Sequence, residues 1–456
     1  MRAFSRFAWA AAVLIAIGGW VSSAGADELR VATFCCDVTP PLGQAIYASY
    51  KPLEVIEHPL LAKGIVLEDG GQRYVLCTFD WCVIQDSLHD TFRRKMAQAA
   101  GTLPTRVAVH TVHQHTAPVV NGEVSRLLAK VENPPAAYPD EKYYEAVADR
   151  VAAAVTESRD HLQPFDRIGT GEGKVERMAA NRRIMGPDGK IRVRWSVVTG
   201  KDLPLRDEPE GLIDPMLKTI TLAQGDKPLV RLHFYACHPQ SFYGDPRVSY
   251  DFPGMAREVL EKKEGVFQIY FTGCAGDVTM GKYNDGTPAA REQFAQRLLA
   301  GMEAAIGATR YVAAGLIQWR TLDLKLPLYA PPGRTMDENR ATLADTSFLD
   351  KVRIGGASRI AFAERLARPV AVSSLQIGRI HILDLPGECF VTYQLFAQHS
   401  APGDFVAVAA YSEAGVGYVC TDKALEEGGY EPGGSNVGPG TETLLKDAIV
   451  QLLGVK

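Results

Sequence analysis

The sequence has no cysteine pair in C-x-x-C spacing, no basic run or stripe, and no low-complexity segment long enough to separate two domains. Each absence removes a class of protein. Without paired cysteines, a thiolate zinc site has no framework. Without a basic stripe, and with a formal charge of −4, nothing directs the chain to nucleic acid. Histidine is also scarce, with ten in 456 residues, yet three of them (His110, His113 and His115) fall within six positions. The one long apolar run, Phe7 to Val21, falls short of the roughly 20 residues that a membrane-spanning helix needs.

That run follows Arg2 and Arg6 and precedes Ser22-Ser23-Ala24-Gly25-Ala26. A positive start, an apolar middle and a small-x-small end form a secretory signal, so residues 1–26 are expected to be removed and the mature chain to start at Asp27. An uncleaved membrane anchor is the alternative. No cysteine follows the small residues directly, which argues against a lipoprotein. The expected location is periplasmic or secreted. Losing Arg2 and Arg6 with no acid takes the formal charge from −4 to −6. In an oxidising compartment some of the eight cysteines can pair, but scattered positions do not choose the partners.

Length alone allows two or three domains, while 46% hydrophobic and 22% charged residues describe an ordinary globular core. Three hairpins are readable. The first is Gly64–Cys77, turning at Asp69-Gly70-Gly71; the second is Leu217–Cys237, turning at Gly225-Asp226; the third is Ala371–Asp384. Each ends in a polar motif and a change of direction. Helical patterns occupy Leu88–Ala99, Tyr143–His161, Met255–Lys263, Arg291–Ile306, Arg359–Arg368 and Thr441–Leu453. Long helices alternating with hairpins predict an α/β fold with a layered mixed sheet core and one catalytic domain over residues 27–456. Residues 329–358, rich in Pro, Gly and charge, read as an excursion or lid.

The apolar run Arg106–His113 reads as a buried strand delivering His113 and His115 to its end. On an extended strand, residues i and i+2 share a face, so both imidazoles can approach one ion, or an ion and its substrate. A pair of hydrogen-bonded histidines is the plainer alternative. His238 ends the second hairpin. Glu388 follows the third hairpin and is expected to begin a helix, where the dipole alone would favour a carboxylate. Two histidines and a carboxylate with an open position is also a catalytic zinc pattern. Asp277, in a Gly-rich turn after Val266–Phe271, either orients a ligand histidine or serves the turn. Tyr411, Tyr418 and Tyr430 lie among glycines; they line a site or are ordinary loop tyrosines. His110, His233 and His381 read as structural.

Together these pieces resemble the neutral/alkaline, non-lysosomal ceramidase family from about Leu29 onward. His113-Gln-His115-Thr-Ala-Pro matches its H-T-H-S-G-P, and Ala236-Cys-His238-Pro-Gln-Ser its T-H-P-T-S. Ala275-Gly-Asp-Val-Thr279 matches G-D-V-S, and Leu385-Pro-Gly-Glu388 matches P-G-E. Tyr418-Val-Cys-Thr, followed by Tyr430-Glu, matches Y-V-T-T and Y-E-G. The resemblance implies that His113, His238, Glu388 and Tyr418 ligate Zn2+ and that His115 faces the substrate and the zinc-bound water. It further implies that Tyr430 contacts the reacting centre, with Arg182 of Asn181-Arg182 standing for the site arginine.

The implied reaction is zinc-assisted hydrolysis of the amide of ceramide or a related N-acyl lipid, with no nucleic-acid partner and transient contact with a membrane surface. A different amide or ester substrate, and a non-catalytic binding protein, are the competing readings. Thr279 replaces the family's serine, Cys420 its second threonine, and Thr116-Ala-Pro-Val-Val its Ser-Gly-Pro-Gly-Gly. With zinc to activate water, Thr279 is not expected to be a nucleophile. The sequence ends at Lys456, and no C-terminal β-sandwich is expected.

Overall fold

In the computed structural model, residues 28–46, 51–135, 138, 140–242, 246–366 and 368–455 are described. The expected signal segment lies outside them. Among the described residues no helix is long and apolar enough to cross a membrane.

Three hairpins found in the sequence form the centres of three sheets. Leu61–Asp69 pairs with Gln72–Phe79, Met216–Gln224 with Lys227–Tyr235, and Val370–Ile377 with Ile380–Asp384. Each turns over two residues, and the first turn residue, Gly70, Gly225 or Gly378, has positive φ. That conformation matches the twist of the flanking strands and costs glycine little.

The second strand of every hairpin is then followed by a helix and a parallel strand. The helices are Asp86–Ala100, Asp251–Glu264 and Val391–Ser400. The parallel partners are Val107–Thr111, Phe267–Thr272 and Phe405–Ala409. The molecule therefore contains the same hairpin–helix–strand unit three times. These partners are buried almost throughout, as strands covered on both faces must be. Inner faces of the three sheets meet in one core, where Leu67 and Leu76 pack with Leu232, Phe271, Ile382 and Ala407. Outer helices, among them Glu141–Ser158, Pro288–Gly307 and Thr441–Leu453, cover the flanks. The expected layered α/β architecture is present.

The excursion 329–358 holds the helix Met336–Ala344 and the start of Asp350–Arg365. A capping box of Thr335 and Glu338 starts the first of these helices. Leu343, Ile354 and Ile360 then pack on Val124 and Leu128 of the short helix Gly122–Leu128. Alternating Gly, Pro and charge hid that apolar stripe. Glu388, moreover, does not begin a helix. It sits on a two-residue strand paired in parallel with Tyr418-Val419, and the helix starts only at Val391.

Candidate metal centre

The C-terminal ends of the three parallel strands are tied to one another. Thr111 N donates to Tyr411 O at 3.2 Å, Ala410 N to Thr272 O at 3.0 Å, and Thr272 Oγ1 to Val112 O at 2.6 Å. Immediately beyond this ring the chain delivers one polar residue from each unit. His113 N is anchored on Trp81 O, His238 N on Val278 O, and Glu388 N on Gly417 O. Loops beyond the carboxyl ends of parallel strands are where α/β sheets commonly place ligands.

His113 and His115 do meet, with ring centroids 4.9 Å apart, but not through a shared strand face. The strand stops at Thr111, and His113 has φ 64°. A left-handed residue turns its side chain out of the pleat, so i/i+2 alternation no longer applies.

Three acceptor atoms converge. His113 Nε2 and His238 Nε2 are 3.1 Å apart, and Glu388 Oε2 lies 3.3 Å from the first and 3.2 Å from the second. The other ring nitrogens are occupied: His113 Nδ1 is 2.9 Å from Cys82 O, and His238 Nδ1 is 2.7 Å from Ala275 O. A carbonyl only accepts, so each Nδ1 carries the proton and each Nε2 turns a lone pair inward. Ligands of a tetrahedral zinc with bonds of about 2.0–2.2 Å stand about 3.3–3.6 Å apart. The triangle, with edges of 3.1–3.3 Å, is slightly tighter than that spacing, and neutral imidazole with carboxylate is a suitable donor set.

Two other groupings of potential ligand residues fit less well. Cys82 with His113 and His115 brings its thiol to within 3.9 Å of His113 Nδ1, the nitrogen already committed to Cys82 O. His89, Asp90 and Glu413 include a carboxylate already bonded to Arg365 at 2.8 Å. All eight cysteines are free thiols. Burial pushes Cys237 and Cys389, both beside the site, up, so they fill space as thiols.

The electrostatics call for positive charge at the triangle. Burial would raise Glu388, but facing His113 and His238 hold it well below the usual carboxylate range. Burial opposes a charge on His113, yet Cys82 and Glu388 draw it up to about 10. Burial brings His238 down to about 4, against the pull of Glu388. His115 is pushed well below its ordinary value, first by burial and then by the charges of His113 and His238. It is a neutral base beside the triangle.

The remaining candidates sort by contact. Arg182 is buried, donates to Glu431 Oε1 at 2.8 Å and to Gly276 O at 2.5 Å, and lies over both Tyr418 and Tyr430, 5.0 and 5.1 Å from their ring centres. Tyr418 is the strand partner of Glu388. Tyr430 is 39% exposed and faces the cleft. Asp277 does not orient an imidazole: it accepts from Asn181 Nδ2 at 2.7 Å and from Val391 N at 2.8 Å. The carbonyl of Ala275, two residues earlier, does that work for His238. Thr279 Oγ1 is fully buried and accepts from Gly281 N.

A cleft of about 200 Å³ leads to this group, lined by His113, Glu388, Tyr418 and Tyr430 and also by Arg334 and Arg359. No family model and no curated protein matches the sequence. Solved structures do match. A ceramidase complexed with C2 superposes with TM-score 0.69 at 17% identity, over 94% of this chain and 75% of its own. The neutral ceramidase from Pseudomonas aeruginosa gives TM-score 0.68 at 17% identity, over 94% and 74%.

The chain has the neutral ceramidase fold. On that ceramidase scaffold, two residues around the cluster take roles that the sequence did not assign. Tyr411 stacks on His113 with centroids 4.3 Å apart, and its hydroxyl is 3.5 Å from His238 Nδ1. Glu431 bonds both Arg182 and Arg183. Tyr411 was readable only as one of the tyrosines among glycines, and Glu431 only as the residue after Tyr430 in its motif.

Proposed function

We propose that the protein is an exported zinc amidase that hydrolyses the amide bond of ceramide or a related N-acyl lipid. The observation that carries this reading is the triangle of His113 Nε2, His238 Nε2 and Glu388 Oε2, with both histidine tautomers set by carbonyls, at the base of a cleft in a ceramidase fold.

His113, His238 and Glu388 would hold the ion, with Tyr418, the strand neighbour of Glu388, as fourth ligand. Zinc bound there supplies a Lewis acid that polarises the scissile carbonyl and makes water acidic near neutral pH. His115, held neutral, takes the proton of the attacking water as the oxygen–carbon bond forms. It gives that proton to the leaving nitrogen as the carbon–nitrogen bond breaks. Tyr430 donates towards the oxyanion, and Arg182, whose charge Tyr418 and Glu431 sustain against burial, holds both tyrosines from beneath. A donor of this kind typically contributes about 2.7–4 kcal/mol. Thr279 has no part in the chemistry.

A different amide or an ester is the second reading, and one observation favours it: Val119, from the Thr116-Ala-Pro-Val-Val segment that departs from the family, lines the cleft.

The test combines metal analysis with hydrolysis assays on the purified full-length product. One zinc per chain is expected, lost in His113→Ala and Glu388→Ala, together with release of fatty acid from ceramide. Protein that stays metal-free after refolding with zinc would overturn the centre. Full zinc occupancy without ceramide turnover, but with turnover of other amides or esters, would establish the second reading.

A further inference from the structure

The cleft that reaches the metal cluster is also lined by two guanidinium groups, and among the described residues its one acidic lining residue is Glu388 of the cluster. Arg334 precedes the helix Met336–Ala344, and Arg359 lies on Asp350–Arg365. Arg334 is braced by two carbonyls, Nη1 on Pro432 O and Nη2 on Ser435 O, each at 2.8 Å. Its Nε is buried without a hydrogen-bond partner. Among the described residues Arg359 has no ion pair. Burial, and then the charge of Arg359, lowers Arg334 to about 10, and burial lowers Arg359.

Two half-buried cations lining one cleft, with no ion pair to either among the described residues, are better accommodated when something anionic joins them. A guanidinium fork is shaped for a carboxylate or phosphate, and a cleft with one sign of charge concentrates ligands of the other. Bracing by the segment that follows Tyr430 points this charge at the same substrate that meets the cluster. Ceramide is neutral and leaves the pair unmatched.

We infer that the substrate is an amide bearing an anionic group, a carboxylate or a phosphate, which Arg334 and Arg359 bind while the amide lies at the cluster. This rests on the amidase reading for the reaction but not for the binding.

Binding and turnover are therefore measured separately on the zinc-loaded full chain. Three uncleavable probes are compared by calorimetry at low salt: N-(dodecylsulfonyl)glycine, N-(dodecylsulfonyl)ethanolamine phosphate and the neutral N-(dodecylsulfonyl)glycinamide. At least one anion is expected to bind about tenfold or more tighter than the neutral probe, as charge-assisted hydrogen bonds require. The better anion tells carboxylate from phosphate. In Arg334→Gln/Arg359→Gln the preference is expected to fall to about twofold or less, and Arg359→Lys to retain part of it. Wild-type protein that binds the neutral probe as tightly as both anions overturns the inference, whether or not the double variant folds. So does a folded double variant that keeps the preference. Anion preference without hydrolysis of any amide sinks the amidase reading alone, whereas ceramide hydrolysis without anion preference sinks only this one.

Discussion

His113 and Tyr411 lie face to face, 4.3 Å between ring centres and 18° between planes, and both have left-handed backbones, with φ 64° and 62°. Such a conformation costs a bulky residue about 1–3 kcal/mol and persists only where the surroundings enforce it. Here the bonds His113 N to Trp81 O, Tyr411 N to Gly387 O and Thr111 N to Tyr411 O enforce it. The stacked pair fixes the plane of the imidazole that faces the cluster. Tyr411→Leu is expected to weaken zinc binding by about 10–100-fold, the usual cost of losing a residue that orients a ligand. Tyr411→Phe, which keeps the stack and loses only the contact to His238, should lose far less. Competition with a fluorescent chelator reads both.

The segment that orients His113 depends on a buried ion pair. Arg257 holds both oxygens of Asp80 at 2.8 Å, and the two residues are 2% and 1% exposed. Asp80 also accepts from Leu61 N, and Cys82, two residues on, supplies the carbonyl for His113 Nδ1. Removing one partner leaves the other charge buried and alone, so Arg257→Met should destabilise the protein by about 3–5 kcal/mol. Urea denaturation checks this. A loss under 1 kcal/mol would mean that water reaches Asp80.

Acid should weaken the second sheet through His233. Its ring is buried between Thr219 Oγ1 at 2.9 Å and Gln268 Oε1 at 2.8 Å. Burial, opposed by the Gln268 bond, lowers it from 6.5 to about 4. A depressed histidine binds its proton more readily in the unfolded chain. Stability is thus complete above pH 6.5 and falls as pH drops towards 4, by roughly 3 kcal/mol at most. In His233→Gln, the slope of Tm against pH between 6.5 and 4 should be shallower than in the wild type. An identical slope would show that other groups set it.

Thr279 stands where the ceramidase motif G-D-V-S has its serine, yet its hydroxyl is buried and taken up with Gly281 N. Thr279→Ala should keep kcat within about tenfold of wild type, whereas loss of a true nucleophile costs about 10⁶-fold. Steady-state assays on whichever amide is turned over distinguish these outcomes.

Much of this was legible because periodicity reports burial. The three hairpins, the turns of the first two at Gly70 and Gly225, and the helix Thr441–Leu453 fall where the residue pattern puts them. The convergence of residues 113, 238 and 388 was legible only through resemblance, since no local pattern says which strand ends will meet. Glu388 was misplaced because Pro386-Gly387 before a helical stretch resembles a helix start, while its real partner, Tyr418, is distant in sequence. The left-handed turn at His113 has no glycine to announce it. Arg334 and Arg359 became notable only when the fold put both in the cleft that reaches Glu388.

Each of the three hairpin–helix–strand units contributes one arm to the triangle, and their strand ends are laced together directly beneath it. The centre is therefore complete only when the last unit has docked on the other two: a chain with its first two units in place has both histidines and no carboxylate. Whatever ion it takes, a centre built this way works as a sensor of tertiary assembly. Slippage of any single sheet opens the triangle, so metal release during gradual denaturation should precede the loss of helix and strand, no matter which unit yields first.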